Sequence, residues 1–360
     1  MPVTTSKEPM VTKGTMWAIQ KSAPGPGLTP VTVPIPPVGP KDVRVRVTAF
    51  AICGTDLHIV EWDAWAASRI RPPLVPGHEF TGVVESVGSE VTLVAPGDRV
   101  TAETHIYCGI CYACRRGLQH LCQNVQILGV DRAGAFADFV VIPEQNVWRL
   151  HPDIPEEIAA IHDPLGNAVH TALAGPVAGL RFAVFGAGPI GLFSIGVLKA
   201  AGAAWVAAID KNPMRLDLAT AMGADLAVNV ERTKVVPEIL RATDGRGVDG
   251  MLEMSGHAQA YRDGFEMLAN GGRVSLLGIP SSPLEIDVAK EIIFRGAQVQ
   301  GINGRLIFDT WFRMEALLLS GKLDVKPVIT HVLGWSEFDR AVELQRSGKA
   351  GKIVLMRDRP

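Results

Sequence analysis

All five cysteines of this sequence fall between positions 53 and 122, and four of them form one run. Cys108, Cys111, Cys114 and Cys122 read C-x2-C-x2-C-x7-C. Thiolates at that spacing can close a tetrahedral four-sulfur site, for which redox-inert zinc is the favoured ion. Such a site leaves no open coordination position, so its work is structural: it staples a loop. An iron–sulfur cluster is the rarer alternative. Gly109, Arg115, Arg116 and Gly117 make the segment too polar for four thiols buried by packing alone.

Cys53 stands apart, in Ile52-Cys53-Gly54-Thr55-Asp56-Leu57-His58, and Gly77-His78-Glu79 follows it. Singly, these are an ordinary core thiol, loop histidine and surface acid. As a set beside a nucleotide fold, Cys53, His78 and Glu79 predict a catalytic metal with an open position. Asp163, in His162-Asp163-Pro164-Leu165-Gly166-Asn167, is a further candidate ligand, with a helix cap or turn acid as its plainer reading. Thr55 and His58 follow Cys53 closely. A hydroxyl and an imidazole there could carry a proton from an alcohol at the open position to solvent. The plainer reading of His58 is an exposed histidine.

A third constellation is Gly186-Ala187-Gly188-Pro189-Ile190-Gly191. In G-x-G-x-x-G the first glycine permits a tight strand-to-helix turn. The second lets backbone approach a pyrophosphate, and the third lets the helix pack on the strand. The helix N-terminus then offers free N–H groups to phosphate. The motif alone is weak, but here a strand precedes it, a helix follows, and Asp210 ends the next strand where the ribose-binding acid belongs. A carboxylate there accepts ribose hydroxyls and repels a 2′-phosphate, which favours NAD over NADP. Arg215 can stack on adenine or tolerate a phosphate, and NAD remains the expected cofactor.

The elements that must position these groups read in two styles. The first ~165 residues are strand-rich and turn-rich. Residues 43–47 (Val-Arg-Val-Arg-Val) alternate with period two, and 80–87 and 136–142 are further strand candidates. From about residue 159, apolar strands alternate with helices. Strands are expected at 181–185, 205–210, 248–253 and 273–277, with a helix from the glycine turn to residue 201. That series is a doubly wound parallel sheet. The last ~60 residues are mixed, with a helix at 311–320 and an edge-like strand at 352–356.

A chain of 360 residues suggests two domains. Its net charge of −2 gives no electrostatic case for nucleic acid or an anionic membrane. Residues 1–8 lack a secretory pattern, and no apolar run reaches membrane-spanning length; residues 190–209 come closest, interrupted by Lys199 and glycines. A cytoplasmic protein with reduced thiols is expected.

Together the stretches Cys53-Gly54-Thr55-Asp56-x-His58, Gly77-His78-Glu79, the four-cysteine loop and Gly186 to Gly191 resemble the zinc-containing medium-chain dehydrogenase/reductase family, over residues 16–356. The resemblance implies a GroES-like β-barrel catalytic domain (1–165 and 304–360) and a Rossmann NAD-binding domain (166–303). Longer stretches are similar to the threonine-oxidising branch: residues 54–62, 103–109, 164–171, 252–256 and 327–331. They imply oxidation of the side-chain hydroxyl of L-threonine to L-2-amino-3-oxobutyrate, with hydride passing to NAD+. They also imply two zinc ions per chain, with Cys53, His78 and Glu79 holding the catalytic one. The alcohol-dehydrogenase branch takes a second cysteine as third ligand, and no cysteine is left for it here; Asp163 matches an acid at that position. His105 matches a histidine in the substrate cleft. Leu277, Gly278, Ile279, Ile302 and Asn303 match positions beside the nicotinamide. A homotetramer is implied. The runner-up is a zinc-dependent polyol or secondary-alcohol dehydrogenase of the sorbitol or butanediol type. A non-catalytic NAD-sensing module would be marked by loss of Cys53, His78 or Glu79, and all three are present.

Overall fold

The protein is described by a computed structural model covering residues 14–358; the N-terminal stretch read for a secretory pattern lies outside the described residues. Six parallel strands form one sheet, in the order Leu226–Asn229, Trp205–Asp210, Arg181–Phe185, Val248–Glu253, Leu268–Leu276, Gln298–Gly301. Its inner strands Trp205–Asp210 and Arg181–Phe185 are near-continuous apolar runs because both of their faces are covered. Phe182, Val184, Val206 and Ala208 face one core, with the helices His162–Ala172 and Pro189–Ala200. Ala183, Phe185, Ala207 and Ile209 face the other, with Val235–Ala242 and Ala258–Glu266. Alternate residues feeding two cores is what a doubly wound sheet requires.

The second sheet has seven strands. Its path is Ile329–Gly334, Lys352–Met356, Asp42–Ala51, Glu79–Val87, Arg99–Ala102, Val147–Arg149, and Phe139–Pro143 pairs with Asp42–Ala51. Val43, Val45 and Val47 are buried while Arg44 and Arg46 are not, the expected period-two pattern. Their core adds Phe50, Phe80, Phe136 and Trp335.

Lys352–Met356 is an interior strand, not the expected edge. It lies between Ile329–Gly334 and Asp42–Ala51, and Ile353, Val354 and Leu355 are wholly buried. The strand expected from residue 136 begins at Phe139, since Phe136 packs in the core from a loop. The helix expected at 311–320 is Asp309–Leu319.

The two sheets share a core. Ala49, Ala51, Trp148 and Val354 from the mixed sheet join Val184, Leu252 and Trp311 in one cluster around Leu165, Ala168 and Val169. The helix His162–Ala172 that carries these three runs straight through the junction expected at residue 165. Among the described residues no helix is long and apolar enough to cross a membrane.

Candidate active site

The four-cysteine run folds on itself. Its ligand atoms all lie within 4.8 Å of one another, with Cys122 Sγ 3.5 Å from Cys108 Sγ and 3.9 Å from Cys111 Sγ. Zinc–sulfur bonds of about 2.3 Å in a tetrahedron place sulfurs about 3.8 Å apart, so the group fits the ion. Backbone N–H groups support it: those of Cys108 and Asn124 each point at Cys122 Sγ at 3.3 Å. Peptide N–H groups of Ile110 and Cys111 pull the Cys108 thiol down to about 6. Burial, with Cys111 and Cys122 alongside, pushes Cys114 up to about 12. Crowded sulfurs that resist sharing negative charge are what a divalent cation relieves.

Cys53, His78 and Glu79 converge within the same 4.8 Å limit, from separate elements. Three neighbouring strands bring them together. Ala51 pairs with Glu79 on one side and Val354 on the other, so the strand ends meet at residues 52–53. Cys53 caps the helix Gly54–Glu61, and its N–H donates to Asp56 Oδ2 at 2.9 Å. Burial pushes buried Asp56 up to about 6. Glu79 is fully buried and forms an ion pair with Lys352, whose Nζ also donates to the Ile52 carbonyl at 2.9 Å. Burial opposes the Lys352 charge, but Glu79 and Cys53 outweigh it and raise its pKa.

His78 Nδ1 and Glu79 Oε1 are buried with no hydrogen-bond partner among the described residues. Burial opposes an imidazolium at His78, yet the Cys53 sulfur, Asp56 and Asp163 override it and push its pKa up to about 10. Anions that call for a positive charge at this spot, with a sulfur, an imidazole and a carboxylate offering donor atoms within 4.8 Å of one another, fit a zinc ion.

Asp163 is not among the three. Its Oδ1 accepts from the Thr104 hydroxyl at 2.6 Å and its Oδ2 pairs with Arg305 Nη1 at 3.0 Å. Burial works to raise its pKa, but Arg305 and His78 outweigh it and hold the carboxyl below the ordinary range. Arg305 is wholly buried and also grips Glu103, which accepts from Trp311 Nε1 at 3.0 Å and from the His105 N–H at 2.9 Å. Burial, and the Arg305 charge after it, lowers the pKa of His105. A Cβ at Gly304 would sit 2.5 Å from His105 Nδ1, so the ring packs on that backbone.

Thr55 Oγ1 lies 3.9 Å from Cys53 Sγ. His58, three residues on, shares its helix face. The His58 ring is exposed and bonds Asp63 Oδ2 through Nδ1 at 2.6 Å.

The glycine turn behaves as its motif demands. Gly186 has φ +87°, and a Cβ at Gly191 would lie 1.9 Å from the Gly186 carbonyl oxygen. A Cβ at Gly188 would meet nothing within 4 Å, because that side opens onto a cavity of about 830 Å³. Gly188 caps the helix, Pro189 takes its first position, and Ile190 packs against the core. Asp210 and Arg215 line the cavity with Ser255 and His257. Asp210 accepts from the N–H groups of Ala187 (2.7 Å) and Asn212 (2.8 Å), and each oxygen keeps a lone pair for a sugar hydroxyl. Arg215 Nε is buried with no partner among the described residues. An open glycine, an oriented carboxylate and an orphaned donor fit a dinucleotide.

None of Leu277, Gly278, Ile279, Ile302 and Asn303 lines that cavity; the N–H groups of Leu277 and Gly278 donate to the Glu253 carbonyl, Ile302 N–H donates to the Leu276 carbonyl, and Ile279 and Asn303 are exposed. From Gly301, at the end of the parallel sheet, the chain reaches Gly304 and Arg305 within four residues, and so His105 and Asp163. That links the dinucleotide cleft to the metal-capable cluster. Lys352, Arg305 and Glu103 were not singled out from the sequence; the one available signal was a lysine heading the apolar strand Lys352–Met356.

Residues 39–153 match the model of the alcohol dehydrogenase GroES-like domain, and residues 189–320 match that of the zinc-binding dehydrogenases. The chain is 49% identical to an L-threonine 3-dehydrogenase of Bacillus licheniformis, over 95% of this chain and 99% of that one. It is 48% identical to an L-threonine 3-dehydrogenase of Symbiobacterium thermophilum, over 96% and 98%. Its fold superposes with a TM-score of 0.87 on a short chain alcohol dehydrogenase from E. coli CFT073 complexed with cofactor NADH, at 26% identity, covering 95% of this chain and 99% of that one. By sequence, fold and relatives, the chain belongs to the zinc-containing medium-chain dehydrogenase/reductase family.

Proposed function

We propose that this chain is an NAD-dependent dehydrogenase that oxidises the side-chain hydroxyl of L-threonine to L-2-amino-3-oxobutyrate. The observation that carries the reading is the convergence of Cys53, His78 and Glu79 at the point where the dinucleotide sheet hands the chain to Arg305 and His105. When bound, zinc at those three residues would make the alcohol more acidic, and NAD+ would accept the hydride.

The chain's own residues have the remaining tasks. Thr55 takes the alcohol proton beside Cys53, and His58 passes it to solvent through its exposed edge while Asp63 orients the ring. Lys352 fixes Glu79 in place through their buried ion pair. Asp163, held by Arg305 and Thr104, adds negative charge behind His78 without being a direct ligand in this geometry. The Asp210 carboxylate favours NAD over NADP. The four-cysteine loop holds a second, structural zinc.

A homotetramer belongs to the same reading. The fully exposed edge strand Gln298–Gly301, with Ile293 and Phe294 exposed beside it, supports self-association. Initial rates of NADH formation with L-threonine, sorbitol and 2,3-butanediol test the substrate. The highest kcat/KM is expected with L-threonine, and a polyol or diol preferred tenfold or more would replace this reading with the runner-up.

A further inference from the structure

Glu253 ends the strand Val248–Glu253 and is wholly buried. Its Oε1 accepts from the N–H groups of Ser255 (2.9 Å) and Gly256 (3.0 Å) and from the Ser255 hydroxyl. Its Oε2 accepts from Gly256 N–H at 3.1 Å. Its backbone carbonyl accepts from both Leu277 and Gly278 at 2.9 Å. One residue therefore holds turn 254–256 by its side chain and turn 277–279 by its main chain. Tyr261 secures the second turn from below, its hydroxyl donating to the Gly278 carbonyl at 2.8 Å.

The turns are packed without slack. A Cβ at Gly278 would lie 2.3 Å from Glu253 Oε2, and one at Gly256 would lie 2.4 Å from the Ile279 carbonyl oxygen. Ser255 Cβ would stand 3.0 Å from a Cβ on Gly186, so the phosphate-binding turn touches the same junction. Ile279 ends up 90% exposed on a clamped turn, an apolar face presented outward at the end of the cleft.

The sheet order says which half of a dinucleotide this junction meets. The order reverses between Arg181–Phe185 and Val248–Glu253, and a dinucleotide crosses a doubly wound sheet at that switch point. Asp210 marks the adenosine half, over the strands on one side. The strands Val248–Glu253, Leu268–Leu276 and Gln298–Gly301 lie on the other, beneath the nicotinamide half.

We propose that Glu253 is a positioning residue for the nicotinamide half of the cofactor: its carboxylate fixes the 254–256 backbone and packs it against Gly278, while its main-chain carbonyl holds turn 277–279, so that both turns and Ile279 form one wall. The assignment rests on the NAD reading above. It touches no substrate and adds no chemistry of its own. Without the carboxylate, the Ser255 and Gly256 donors must turn to water, which meets them singly, and turn 254–256 loses the anchor that packs it against Gly278.

Equilibrium binding of two ligands, NADH and ADP-ribose, tests this without any turnover. ADP-ribose has the adenosine and pyrophosphate but no nicotinamide. In Glu253→Ala, the Kd for NADH is expected to rise about tenfold or more, and at least about threefold more than that for ADP-ribose, which meets the turn through Ser255 beside Gly186. Glu253→Gln keeps an oxygen for the Oε1 contacts and sets an amide N–H2 against the Gly256 N–H. It guards against a folding failure of the alanine variant, with an NADH loss of about threefold and ADP-ribose unchanged. Equal weakening of both ligands would reveal a general structural role and overturn the proposal, as would unchanged NADH binding in both variants. Failure of the unsubstituted chain to bind NADH would bring down the cofactor reading and this assignment with it.

Discussion

The four-cysteine loop and the Cys53 cluster use similar donors but are assembled by opposite routes. In the loop all four cysteines lie within fifteen residues of chain, the backbone turns aim N–H groups at sulfur, and the four sulfurs make a complete tetrahedral donor set. The Cys53 cluster draws its ligands from the ends of two strands and balances them with a lysine from a third. It is also ringed by buried charges that are not ligands: Asp56, Asp163, Arg305 and Glu103. A metal held in the loop would depend on that short segment alone. The cluster exists only when three strands of the mixed sheet are paired, which is the construction expected of a site whose geometry the whole domain must hold.

Substitutions break this contrast in order of expected effect. Cys53→Ser should lower threonine turnover by about a thousandfold or more, equivalent to about 4 kcal/mol of barrier, while NADH binding is kept. Turnover within tenfold of the parent would refute a reacting centre at Cys53. Arg305→Met leaves Glu103 and Asp163 buried without their counter-charge. Urea unfolding should show a loss of about 3–5 kcal/mol, and activity should fall about 10–100-fold. A variant as stable as the parent would mean that the network is hydrated in solution. Cys111→Ser should empty the loop, lower the thermal midpoint and remove one zinc, yet cut turnover less than about tenfold. Turnover abolished in a protein that still binds NADH would put the chemistry in the loop instead.

The smallest effect concerns the contact between the two regions. His170 packs edge-on against His120 of the loop, with ring centroids 5.6 Å apart, and donates from Nδ1 to the Gly304 carbonyl at 2.8 Å. Burial holds its pKa below the ordinary value. The folded state therefore keeps His170 neutral where the unfolded chain would protonate it. The stability this contributes is complete above a pH of about 6.5 and lost as pH falls from there through the folded pKa. Unfolding free energy measured from pH 8 to 5 should drop less steeply in His170→Gln than in the parent. Parallel profiles would show that the histidine titrates normally.

The same contrast explains what could be read from the chain. The cysteine run and the Gly186–Gly191 turn are local, so spacing alone exposes them. The strands Arg181–Phe185, Val248–Glu253 and Lys352–Met356 are short apolar runs and were placed with the observed limits. Position within a sheet was not legible: a C-terminal strand looks like an edge until the chain folds back beside Asp42–Ala51. Cys53, His78 and Glu79 were legible as residue types, but the charges that support them were not. Arg305 meets Glu103 across 202 residues, and Lys352 meets Ile52 across 300. No local pattern encodes such pairs, because their reason is the desolvation of a carboxylate that only the folded core imposes. Asp163 shows the cost: its type and place suggested a ligand, whereas Thr104 and Arg305 occupy its two oxygens.

The division between an open reacting centre and a closed structural one can be tested on the unmodified protein. Zinc released per chain would be followed against residual threonine oxidation during slow chelation. Three protein ligands hold metal less firmly than four thiolates, so activity should vanish with the first of two equivalents while the fold and NADH binding persist. Activity that survives the first equivalent and disappears only with the second would contradict the assignment of the chemistry to Cys53, His78 and Glu79.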